Sequence, residues 1–65
     1  MQFRKKRMAV GLSQVEAAKA LGVSNTTVSM WEHGHALPRA EKLIEVAALY
    51  ECTTDELLQV TEETA

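Results

Sequence analysis

Asn25, Thr26, Ser29 and Met30 place an amide, two hydroxyls and a thioether in one short run of the chain, NTTVSMWEHG. On a helix of about 100° per residue they share an arc of about 140° with His33. These groups suit DNA base reading. An amide pairs bidentately with adenine in the major groove, and threonine or methionine touches the thymine methyl. Such short side chains reach base edges with little loss of rotamer freedom. An ordinary solvent-facing helix side carries Lys and Glu instead. The plain alternative is an inert exposed face built from weak helix formers.

Other chemistries find less support. His33 and His35 flank Gly34, but no further cysteine or carboxylate stands at ligand spacing, so no metal site is expected. Cys52 is the one cysteine, which leaves no intrachain disulfide and no zinc-binding CxxC pair. It reads as a small buried hydrophobe, and a lone thiol fits a reducing cytoplasm. No Ser/His/Asp arrangement and no phosphate-cradling glycine loop is present, and a chain of 65 residues has little room for a substrate pocket. An enzyme is therefore not expected, nor a cofactor. No apolar run is long enough for a membrane span, and no signal-peptide pattern begins the chain. The length predicts one domain over 1–65, with no room for a separate sensor domain.

The net charge of -2 conceals a division. Residues 1–39 set Arg4, Lys5, Lys6, Arg7, Lys19 and Arg39 against Glu16 and Glu32, a net +4. Residues 40–65 set Lys42 against Glu41, Glu45, Glu51, Asp55, Glu56, Glu62 and Glu63, a net -6. One basic end is thus available to a polyanion, although two solvated surfaces would look the same.

The elements that must carry these groups are helices. Gly11, Gly22, Gly34 and Pro38 cut the chain into helical lengths, and no stretch alternates like a strand. A first helix is predicted from about Gln2 to Val10, with Phe3, Arg7 and Val10 on one face. Ser13 and Glu16 form a capping box for a second helix, whose apolar side is Val15, Ala17, Ala18 and Leu21. Gly22 ends it, Ser24 caps a third helix from about Asn25 to His33, and only Val23 separates them. A fourth helix after Pro38 carries Leu43, Ile44, Val46, Ala47 and Tyr50. Thr53 and Glu56 form a second capping box for a short fifth helix around Leu57 and Leu58. Residues 61–65 read as a frayed tail. On the third helix Val28, Trp31 and Thr27 lie opposite the polar arc, so Val28 and Trp31 are its core residues.

The ordered set of motifs resembles a known family. The segment LSQVEAAKALGVSNTTVSMWEHG looks like the helix-turn-helix of the phage repressor/Cro class, the Xre-like regulators. The markers are Leu12-Ser13-Gln14, Ala18, the Leu21-Gly22-Val23-Ser24 turn, Val28, Trp31-Glu32, Gly34, Pro38, and Asp55 to Leu58. The resemblance implies an all-α fold, a five-helix lambda-repressor-like DNA-binding domain with its motif at about 13–33. Asn25, Thr26, Ser29 and Met30 match base-reading positions. Gln14 matches a phosphate contact at a helix start, and Ser24 and Thr27 match positions near the DNA backbone. His33, His35 and Arg39 are placed near that backbone too. Arg7 and Glu32 match a partly buried ion pair that ties the first helix to the third. The chain departs from the family pattern at Ala17, Lys6 and Arg39, and Met30 and His33 stand where cations are common. Affinity then leans on Arg4, Lys5, Lys6, Arg39 and a second subunit, and apolar and amide contacts favour an A·T-rich site.

The implied function is a sequence-specific transcriptional regulator of the repressor kind, binding double-stranded DNA as a homodimer with the third helix in the major groove. The alternative is an antitoxin-like interaction module that docks a partner protein through the acidic second half, with Leu57, Leu58 and Val60, and autoregulates. A regulator binds DNA tightly with affinity falling as salt rises, whereas an interaction module binds DNA weakly and retains a defined protein.

Overall fold

Local capping chemistry starts three of the five helices in the computed structural model, which describes residues 1–59. The elements are α1 (Phe3–Ala9), α2 (Gln14–Leu21), α3 (Asn25–Glu32), α4 (Ala40–Leu49) and α5 (Thr54–Leu58), with no strand among the described residues. At α2 the Ser13 hydroxyl accepts the Glu16 N–H at 3.0 Å, and the Glu16 carboxylate accepts the Ser13 N–H at 2.8 Å. Thr53 and Glu56 repeat this box at α5 with distances of 3.0 and 2.8 Å. The Ser24 hydroxyl accepts the Thr27 N–H at 3.1 Å and starts α3. Arg39, at the N-cap of α4, makes no side-chain cap bond. Gln2, Val10 and His33 flank helices as caps rather than lying within them, one-residue shifts at ends that fray.

Gly22 stops α2 in the left-handed conformation, at φ 71°. There its N–H reaches Lys19 O, and the Val23 N–H reaches Ala18 O at 3.0 Å. A Cβ at this position would meet nothing within 4 Å, so a side chain costs backbone conformation alone. Gly22→Ala is expected to lower stability by about 1–2 kcal/mol, the left-handed penalty of an L-residue. Gly22→Asn should lose visibly less in the same urea melt; equal losses would point away from φ as the cause.

The core draws on every helix: Phe3 of α1, Ala17, Ala18 and Leu21 of α2, Val28 and Trp31 of α3, Val46 and Ala47 of α4 with Tyr50 at its C-cap, and Leu57 of α5. The Phe3 and Trp31 rings lie 6.2 Å apart, which joins α1 to α3. Small Ala17 and Ala18 let α2 approach its neighbours closely, and α2 packs on both α3 and α4. Two polar ties add to this packing. The Gln2 N–H donates to Leu57 O at 2.9 Å, and the Lys42 ammonium donates to Leu21 O at 2.8 Å, at the C-terminal end of α2.

Two residues expected in the core are on the surface. Val15 is 51% exposed and Ile44 63% exposed. Each lies about 110° around its helix from the direction in which the buried residues point. Cys52 is half-buried rather than buried, packed at the edge of the core, and this burial pushes its thiol upward. Leu57 is fully buried and Leu58 exposed. Val60 and the tail at 61–65 lie outside the described residues. Among the described residues, no helix is long and apolar enough to cross a membrane.

Candidate nucleic-acid interface

The cap at Ser24 sets where α3 begins, and therefore which residues stand in its first exposed turn. Asn25 and Thr26 lie there, both exposed. Val28 and Trp31 anchor the opposite side of the helix, at 0% and 4% exposure. This anchoring lets packing, rather than propensity, hold a helix made of Asn, Thr and Ser. Met30 is exposed on the outer face and Ser29 is half-buried beside it. The hydroxyls of Ser24 and Thr27 lie 2.9 Å apart, so one donates to the other and the cap turn is closed.

His33 follows on the same face as the C-cap of α3. Its Nδ1 lies 2.8 Å from the Ser29 carbonyl oxygen. The His35 ring is stacked beside it, with centroids 6.2 Å apart. No group of three metal-ligating side chains occurs among the described residues. Arg39 is exposed at the start of α4, and with Thr27, Trp31 and Leu37 it lines a groove between α3 and α4. The structure thus brings Asn25, Thr26, Ser29, Met30 and His33 onto one side of α3. His35 stands beside that row, and Arg39 stands apart from it, across the groove.

Beneath this row lies a charged anchor. Arg7 Nε donates to Glu32 Oε2 at 2.5 Å, and Arg7 Nη2 donates to Glu32 Oε1 at 3.2 Å. Arg7 Nη1 donates to Leu12 O at 2.7 Å. The two side chains are only 10% and 3% exposed. A guanidinium so placed tolerates burial because its planar fork meets a carboxylate and a carbonyl together.

Sequence reasoning missed one member of this network. Gln14 Nε2 donates to Glu32 Oε1 at 2.9 Å. The bond spans eighteen positions of the chain, and no local pattern signals it. It ties the first residue of α2 to the last residue of α3 and fixes how the two motif helices meet. One N–H of the Gln14 amide is committed to this bond, and the amide carries a second.

Burial pushes the Glu32 carboxyl upward, but hydrogen bonds from Arg7 and Gln14 and the charges of Arg7 and Arg4 outweigh it, so the group titrates below its ordinary value. The carboxylate therefore favours the folded chain. That contribution is complete above the unfolded value, about 4.3, and is lost as pH falls through the lower folded value. Glu16 and Glu56 are held low in their capping boxes and act in the same sense. Stability against urea should be level from about pH 5.5 to 7 and fall below about pH 4. Glu32→Gln should make that acid limb shallower; an unchanged limb would assign it to the capping boxes instead. Tyr50 lies within reach of the same charges. Burial first, and then the Glu32 charge, push its phenol up to about 12, against the pull of Arg7.

Five helices with a capped, glycine-closed turn between the second and third define an all-α helix-turn-helix domain. Residues 3–57 match the protein family described as "Helix-turn-helix". The chain belongs to this DNA-binding family, in its phage-repressor, Xre-like form. It is 31% identical over 58 residues to "Repressor protein C2" of Salmonella phage P22, a match covering 89% of this chain and 27% of that protein. It is 37% identical over 62 residues to "HTH-type transcriptional activator BcrR" of Enterococcus faecalis, covering 89% and 30%. It is 35% identical over 51 residues to "Cryptic phage CTXphi transcriptional repressor RstR" of Vibrio cholerae, covering 78% and 46%. The chain spans less than half the length of these curated relatives. No solved structure gives a significant match.

Proposed function

We propose that this chain is a sequence-specific transcriptional regulator that lays α3 in the major groove of DNA as a homodimer and represses by occupancy. The observation that carries this reading is the outer face of α3. Its exposed residues are an amide, a hydroxyl, a thioether and an imidazole, and they stand on a helix anchored by Val28, Trp31 and the Arg7–Glu32 pair. Such a face is poor for solubility and helix propensity but matches base edges in donors, acceptors and methyl contacts. Gln14 at the start of α2 supports the reading, since an amide N–H at a helix N-terminus suits a phosphate. Two relatives are named repressors and one an activator. Repression needs only that a site be covered, which one DNA-binding domain achieves without another surface.

Selection of sites from a randomised duplex pool tests the proposal. Two-fold symmetry predicts a palindromic consensus with half-sites about 34–36 Å apart on one face of the duplex. Absence of any enriched sequence would overturn it. Gln14→Ala should weaken binding to every duplex by a similar factor, worth about 1 kcal/mol, because a phosphate contact carries no base information. Binding to a panel of single-base operator variants checks this; a changed rank order would show that Gln14 acts on base reading, directly or through its bond to Glu32.

A further inference from the structure

The tautomer of His33 is set by its neighbour. Nδ1 lies 2.8 Å from the Ser29 carbonyl oxygen, with the Ser29 hydroxyl at 3.3 Å. A carbonyl only accepts, so Nδ1 carries the hydrogen. A neutral imidazole has one N–H, and Nε2 is then a bare lone pair. A bare nitrogen repels a phosphate oxygen, and protonation turns it into a charged donor. We propose that His33 holds a DNA phosphate only as an imidazolium, donating from Nε2, so that binding takes up a proton from solvent and release returns it. The inference rests on the DNA-binding reading above.

The surroundings of the ring support this linkage. His33 lines a cleft with Arg4 and Arg7 of α1, Gln14 of α2 and Glu32 of α3, and His35 stacks on it from the following turn with 19° between the planes. Arg7 and Glu32 neutralise each other at 2.5 Å. Gln14 is an uncharged amide. Arg4 and His35 are the other basic groups beside the ring, and the carbonyl end of α3 lies next to it. A phosphate at the mouth of the cleft shifts this balance. It brings a further anion beside Arg4 and His33, and Gln14 lines the same cleft.

The test uses the full chain and a duplex selected from the randomised pool. Histidine ring resonances are titrated with and without duplex. Affinity is measured at pH 6 and pH 8 at constant ionic strength for the parent, His33→Gln and His35→Gln. One proton limits the effect to about tenfold per pH unit, and we expect about tenfold tighter binding of the parent at pH 6. The slope of log affinity against log salt should be steeper at pH 6 by about 0.9, one added phosphate contact. The duplex should move the His33 titration midpoint upward. His33→Gln should abolish the pH effect, and His35→Gln should retain it. Tight binding that is level with pH, an unmoved midpoint, or a pH effect that survives His33→Gln overturns the proton linkage alone. Failure to bind duplex at either pH overturns the DNA reading and the linkage with it.

Discussion

Glu32→Ala is expected to destabilise the fold by about 3–5 kcal/mol, the cost of stranding one partner of a buried ion pair. The substitution leaves Arg7 with its bond to Leu12 O at 2.7 Å and no acceptor for Nε or Nη2 in a site where its side chain is 10% exposed. It also frees the Gln14 amide, and so loosens α2 from α3. Domains hold about 0.05–0.15 kcal/mol per residue, so a chain of this size has little reserve, and the variant should be largely unfolded at 37 °C. Glu32→Gln keeps the shape and one acceptor and should lose less. Replacing both partners with apolar residues of similar volume should recover much of the stability, since the pair's desolvation is then no longer required. Urea and thermal melts followed by circular dichroism read all three variants. A Glu32→Ala midpoint within error of the parent would show that the pair is spectator chemistry.

The second large effect falls on recognition rather than on folding. Asn25→Ala should cost about 1–3 kcal/mol of discrimination at one base position in each half-site, a loss of roughly five- to 150-fold in preference there. Stability should hold, because Asn25 is exposed and its side chain makes no hydrogen bond among the described residues. Alanine in the first turn of α3 is also a better helix former than asparagine. The combination is diagnostic: an unchanged melt, a flattened preference at one position and intact preference elsewhere. An unchanged base-preference profile would remove Asn25 from the reading set. Under the proposed reading Asn25 and Met30 offer amide and apolar contacts, so A·T-rich consensus positions are expected.

Much of this molecule was legible before its structure because its punctuation is local. A serine that accepts an N–H three residues on, or a glycine at positive φ, acts within one turn of chain. Ser13, Gly22, Ser24 and Thr53 therefore announce their helix boundaries directly. The two sides of α3 were legible for a related reason. Val28 and Trp31 are spaced three apart with polar residues around them, so one side alone could be buried.

Where the apolar arc of a helix is wide, periodicity cannot say which part a neighbour covers. Val15 and Ile44 show this: both lie about 110° from the inward direction of their helices, and both face solvent. Contacts between distant residues are equally invisible. The Gln14–Glu32 bond, the Lys42 ammonium on Leu21 O and the Arg7 guanidinium on Leu12 O all depend on where helices or turns come to rest. So does the character of the candidate interface. Residue types along NTTVSMWEHG specify which groups the outer face of α3 carries. The Arg7–Glu32–Gln14 network, made where three helices meet, ties that helix to α1 and α2. Helix boundaries follow from interactions within a turn, which a chain encodes in sequence order, whereas burial and long-range pairing follow from which surfaces meet in space.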